Sequence, residues 1–71
     1  MAYSAFPLFM QACDGVLMTR LGMSHLDIGD APWYDYFNDE LTPEEAVALA
    51  LMEWNDMEWE TLEDLGLAEF I

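Results

Sequence analysis

Fifteen carboxylates share this 71-residue chain with a single arginine, Arg20, and no lysine, for a formal net charge of −14. No other feature constrains the fold as tightly. A soluble domain normally intersperses both signs, so that most charges have an opposite neighbour. Here almost every pairwise charge interaction is repulsive, so the carboxylates must face solvent and apolar contact must hold the fold. The material for that exists: 55% of residues are hydrophobic and 14% aromatic, which argues against disorder despite the charge. A chain this short makes one domain, residues 1–71, and buries only about 60% of the surface its unfolded form exposes.

The charge also narrows the partners. A field of this sign repels nucleic acid and anionic membranes and attracts basic surfaces. Cys13 is the lone cysteine, so no internal disulfide forms, which fits a reducing compartment. Its apolar neighbours make it an ordinary buried thiol. The first ten residues carry no base ahead of their apolar stretch, unlike a signal peptide. No run of about 18 apolar residues exists to span a membrane. The expected location is the cytoplasm of a host cell.

Helical spacing dominates the pattern. Phe6, Phe9, Met10, Cys13, Leu17 and Leu21 form one stripe of a helix from about Ala5 to Leu21. Ser4 can cap it, Pro7 falls in its first turn, and Gly22 supplies a left-handed stop. Ser24-His25-Leu26-Asp27 reads as a capping box opening a short turn that ends at Gly29. Asp30-Ala31-Pro32 marks a second start, with Pro32 as first helical residue and Trp33, Tyr34 and Phe37 covering one end of the core. The clearest local signal is Thr42-Pro43-Glu44-Glu45: a capping threonine, a proline in the first helical position, and a glutamate reaching back. That helix runs to about Trp54, with Val47, Ala50, Leu51 and Trp54 inward. A break is expected at Asn55-Asp56, with Asn55 capping a new helix; unbroken helix to Leu65, before Gly66, is the alternative. Trp59, Leu62 and Leu65 then supply the apolar face. No segment alternates like a strand. The expected fold is all-α, a small bundle of about three main helices with one or two short helical turns.

Chemistry finds few candidates. His25 reads as a surface or cap-proximal residue, and Ser4 and Ser24 as caps. Paired carboxylates can run acid–base catalysis, but only within a concave pocket for which so short a chain has little room. Neither an enzyme nor a cofactor is expected. Asp27 with Asp30, or Asp35 with Asp39, could hold a hard cation weakly, but no EF-hand loop or zinc cluster is present and no specific metal site is expected.

The acids themselves are the better lead. Glu44 and Glu45 suit a helix start, where carboxylates favour the dipole. Glu63 and Asp64 fall in a last turn, where they oppose it. Asp35 with Asp39, Glu40 with Glu44, Asp56 with Glu60, and Glu60 with Asp64 are like-charge pairs four apart; each pair within one helix costs roughly 0.2–0.5 kcal/mol. Solubility alone would not select these positions. Asp56, Glu58, Glu60, Glu63 and Asp64 are the densest group. As one helix they would span about 13 Å with a charge every ~2.7 Å, against one per ~1.7 Å of duplex DNA axis. These five, with Asp35, Asp39 and Glu40 beside the aromatic turn, are the candidate partner-binding residues. Trp54 or Trp59 could add contact area, although core packing is the simpler reading for both.

From Phe9 to about Leu51 the chain resembles small acidic proteins of phages and mobile elements. The shared residues are Phe9-Met10, Asp14, Leu17, Leu21-Gly22-Met23-Ser24, Asp27-Ile28, Asp30, Trp33, Asp35, Phe37 and Leu41-Thr42-Pro43-Glu44-Glu45-Ala46. Such proteins carry glycine near the place of Glu40, where this chain departs. These positions are mainly caps and core, so they specify a scaffold. In size and charge the chain is also similar to phage-borne anti-CRISPR and anti-restriction proteins that imitate DNA. The two resemblances together imply an inhibitor whose residues to Leu51 form the scaffold and whose remainder adds the acidic element. Its expected partner is a basic nucleic-acid-binding protein or complex, a CRISPR effector or restriction enzyme, with no direct nucleic-acid contact. The alternative is an acidic interaction or regulatory subunit without inhibitory role; halophilic adaptation is a third reading.

Overall fold

A computed structural model describes residues 5–28 and 31–70. Within them lie four α-helices and no strand: α1 Phe6–Leu21, α2 Trp33–Asn38, α3 Pro43–Trp54 and α4 Trp59–Asp64. Two short 3-10 turns complete the fold, His25–Asp27 after α1 and Ala68–Phe70 at the end. The all-α expectation holds, but only α1 and α3 are long. The expected third main helix is the six-residue α4.

α3 is the hub, packing against α1, α2, α4 and the final turn. Ala46, Val47, Ala48, Ala50 and Leu51 are all fully buried, so small side chains ring much of this helix. They let its neighbours approach closely. Phe9, Cys13 and Leu17 of α1 pack on one side, and Leu62 and Leu67 close the other. At one end Phe6 meets Tyr34 and Phe37 edge-on, with ring centroids 5.2 and 5.6 Å apart. Trp33 is buried and Phe37 partly so, as expected, but Tyr34 lies mostly in solvent while Tyr36, not anticipated, is buried. One-turn helices place i and i+3 on the same face, so Trp33 and Tyr36 go inward together.

The caps show how local chemistry draws these boundaries. The Thr42 hydroxyl accepts from the Glu45 N–H at 3.2 Å, and Glu45 accepts from the Thr42 N–H at 2.9 Å, completing the box. Gly22 takes φ 69° and donates its N–H to the Met18 carbonyl at 3.0 Å, the single-bond left-handed stop. Gly66, φ 75°, ends α4 in a double-bonded version: Leu67 N–H to Leu62 O and Gly66 N–H to Glu63 O. The same double closure ends α2, with Leu41 N–H on Tyr36 O and Glu40 N–H on Phe37 O. There the left-handed residue is Glu40, φ 61°.

Several boundaries differ from expectation. The α1 N-cap position is Ala5, with no capping side chain; Ser4, Gly29 and Asp30 lie outside the described residues. Pro32 is the N-cap of α2 and not its first helical residue. The break after Trp54 is present, but Asn55 ends α3, while Glu58 stands at the N-cap of α4. Asp56, φ 49°, makes the turn, and the Met57 N–H returns to the Leu51 carbonyl. Aspartate tolerates this conformation better than most residues.

Candidate interaction surface

All eight carboxylates singled out from the sequence are exposed: Asp35, Asp39, Glu40, Asp56, Glu58, Glu60, Glu63 and Asp64. The expected helical row is not one row. Asp56 and Glu58 lie in the loop before α4, and only Glu60, Glu63 and Asp64 belong to the helix, about 9 Å long. Of the like-charge pairs, Glu60 with Asp64 lies within one helix. Asp35 with Asp39 spans the end of α2, and the other two pairs cross loops. α2 and α4 each pack on α3 but not on each other. The acids therefore form two patches, one on α2 and its closing turn, one on α4 and the loop before it.

Two indoles flank that loop. Trp54 is 50% exposed and Trp59 48%, so the inward placement expected of both is corrected. The inward positions of α3 go to Ala46, Val47, Ala48, Ala50 and Leu51, and that of α4 to Leu62. Half-exposed tryptophan offers large contact area at small ordering cost.

The Tyr36 hydroxyl lies beneath this surface, buried and without a partner in hydrogen-bonding geometry; the same holds for Trp33 Nε1. Burial raises the Tyr36 pKa, the Glu53 and Asp35 charges add to the rise, and the nearby Trp54 indole opposes it. Beside α4, an open hollow of about 240 Å³ is lined by Glu63, Gly66, Ala68 and Glu69. It is smaller than the 300–1,000 Å³ typical of ligand pockets.

Two further contacts escaped the sequence reading. The guanidinium of Arg20 donates to the Leu65 carbonyl, 45 residues away, so the chain's single arginine is engaged at the end of α4. It caps a helix end, where a positive group favours the dipole. A Cβ at Gly66 would run into that guanidinium. Asp14 accepts from the His25 N–H at 2.8 Å and lies 2.7 Å from His25 Nδ1, so it pins the first 3-10 turn onto α1. Cys13 is fully buried, and burial, then the charges of Asp14 and Glu44, pushes its thiol up to about 12. The burial of Cys13 was expected from its place in the apolar stripe.

Among the described residues, no three His, Cys, Asp or Glu side chains are placed to hold a metal ion. No helix among them is long and apolar enough to cross a membrane. No family model, curated protein or solved structure matches the chain.

Proposed function

We propose that this protein binds the basic nucleic-acid-binding surface of another protein as a DNA mimic, acting as a phage or mobile-element inhibitor. The target we favour is a CRISPR surveillance complex, whose DNA channel is lined with cations. One observation carries the reading: among the described residues the exposed carboxylates of Asp35, Asp39, Asp56, Glu58, Glu60, Glu63 and Asp64 form no ion pair, and the guanidinium of Arg20 is turned to the Leu65 carbonyl. Such carboxylates are free to meet lysine and arginine from outside. The shape offered is two acidic patches with half-exposed tryptophans at the loop between α3 and α4, not a straight charged rod.

The test is competition. The surveillance complex is incubated with labelled target duplex and increasing protein, and the bound duplex is followed. Duplex should be displaced, and protein alone should not shift the duplex. The tryptophans favour a second reading, an acidic interaction subunit that recruits a partner without blocking it. A partner that holds this protein and DNA together, with neither weakening the other, selects that reading and rejects mimicry.

A further inference from the structure

The inner face of α2 carries two polar atoms that the fold leaves unsatisfied. Trp33 and Tyr36 are each 7% exposed, and their rings meet edge-on with centroids 5.9 Å apart. Among the described residues, neither Trp33 Nε1 nor the Tyr36 hydroxyl has a hydrogen-bond partner. A buried polar atom without a partner weakens a fold, so each calls for a reason. The two have different surroundings. Beside Trp33 stands His25, already engaged with Asp14. At the Tyr36 hydroxyl burial acts most strongly, and then the charge of Glu53, the indole of Trp54 and the charge of Asp35. Glu53 and Asp35 are exposed, and Trp54 is 50% exposed. Where α2 packs on α3, a covered hydroxyl thus lies by a half-open indole, with two carboxylates close by.

We propose that this junction receives an arginine side chain of a basic partner protein. The inference rests on the reading that the acids of this chain face such a partner, and it names the residue that meets them. Each group at the junction asks for something different, and a guanidinium supplies all of it. The carboxylates of Glu53 and Asp35 attract a cation. The indole of Trp54 offers a ring face to that cation. The Tyr36 hydroxyl accepts an N–H once the Trp54 side chain, at the last turn of α3, turns aside. A guanidinium is planar, weakly hydrated and rich in N–H donors, so it stacks on the ring while donating to hydroxyl and carboxylate together. A lysine ammonium is a compact, strongly hydrated point charge, suited to exposed acids and not to a covered hydroxyl. A quaternary ammonium suits the ring but brings no N–H. The junction also links the two acidic patches: Asp35 belongs to the one on α2, and Trp54 flanks the loop of the other.

The probes are an oligo-arginine and an oligo-lysine peptide of equal length and charge, titrated by calorimetry into the full chain at ~0.15 M salt. Long-range attraction to the acids is the same for both, so a difference reports donor geometry and stacking. Oligo-arginine should bind at least ~10-fold more tightly. Tyr36→Phe should shrink that preference by at least ~3-fold without lowering the thermal midpoint, because the hydroxyl it removes is unpaired. Trp54→Ala, at a half-exposed site, should shrink it similarly and decides the matter should Tyr36→Phe disturb the fold. Replacing Glu60, Glu63 and Asp64 with glutamine should weaken both peptides and leave their ratio unchanged. Equal affinities in the unaltered protein overturn the proposal, and so does a preference that survives both Tyr36→Phe and Trp54→Ala. Displacement of duplex DNA decides mimicry separately. Duplex displaced with no arginine preference rejects this site alone, whereas a preference lost in both variants, with duplex left in place, upholds the site and rejects mimicry.

Discussion

Glu40 occupies a position built for glycine, and the cost of that choice can be measured. Its φ of 61° lies in the left-handed region, held by the two hydrogen bonds that end α2, Leu41 N–H to Tyr36 O at 3.2 Å and Glu40 N–H to Phe37 O at 3.1 Å. An L-residue with a Cβ loses about 1–2 kcal/mol there. Glycine escapes that loss but gives up about 0.5–1 kcal/mol through the greater freedom of its unfolded state. The difference is roughly 0.5–1 kcal/mol in favour of glycine. The fair comparison is Glu40→Gly against Glu40→Ala, since both variants lose the same charge and the same side-chain contacts and differ only in the backbone term. For a domain of this size that gap corresponds to about 2–8 °C in thermal midpoint, readable by circular dichroism and cross-checked by urea denaturation. Equal midpoints, or a more stable alanine variant, would refute the strain argument and mean that the turn relaxes when the side chain is removed.

Replacing Glu60, Glu63 and Asp64 with glutamine should leave the fold as stable or up to about 0.5 kcal/mol more stable, because the Glu60–Asp64 repulsion and the unfavourable charges at the end of α4 disappear. Target affinity should nevertheless fall, and unchanged affinity in a titration would move the site to Asp35, Asp39 and Glu40. Arg20→Gln should destabilise by roughly 0.5–1.5 kcal/mol, with amide exchange accelerating first in α4; uniform acceleration across α1 and α3 would count against a local capping role. Cys13 should resist thiol reagents until the chain is denatured, since it is buried and the thiolate is the reactive form. Its folded pKa of about 12 stands above the ordinary 9.0, so the folded state keeps a proton that the unfolded chain releases. That contribution is complete below pH 9 and declines as pH climbs toward 12, at up to ~1.4 kcal/mol per pH unit. A stability curve flat across this window in urea titrations would refute the assignment.

What could be read in advance was local. The Thr42 box, the Gly22 stop and the break after Trp54 each depend on a few neighbouring side chains and the backbone groups they satisfy. The inward stripe of α1 was legible because it repeats over four turns. Trp54 and Trp59 were misplaced because periodicity records which face a residue takes, not whether the facing helix leaves volume for it. The acidic row was misjudged because a charge run has no internal signal for where a helix begins; Glu58 became an N-cap without a capping bond, and the helix started one residue later. Arg20 on Leu65 and Asp14 on His25 join segments that only the tertiary fold brings together.

The engagement of Arg20 with Leu65 also fixes how the molecule meets a protease. Trypsin cuts after lysine or arginine, and this chain offers that enzyme one bond, Arg20–Leu21. The bond lies in the last turn of α1, and the side chain that must enter the protease is the one holding the end of α4. Cleavage therefore requires α4 to let go and α1 to unwind together. When reclosing is fast, the rate of appearance of two fragments follows the population of that open form. The protein thus carries a single built-in nick site that reports the detachment of its C-terminal elements.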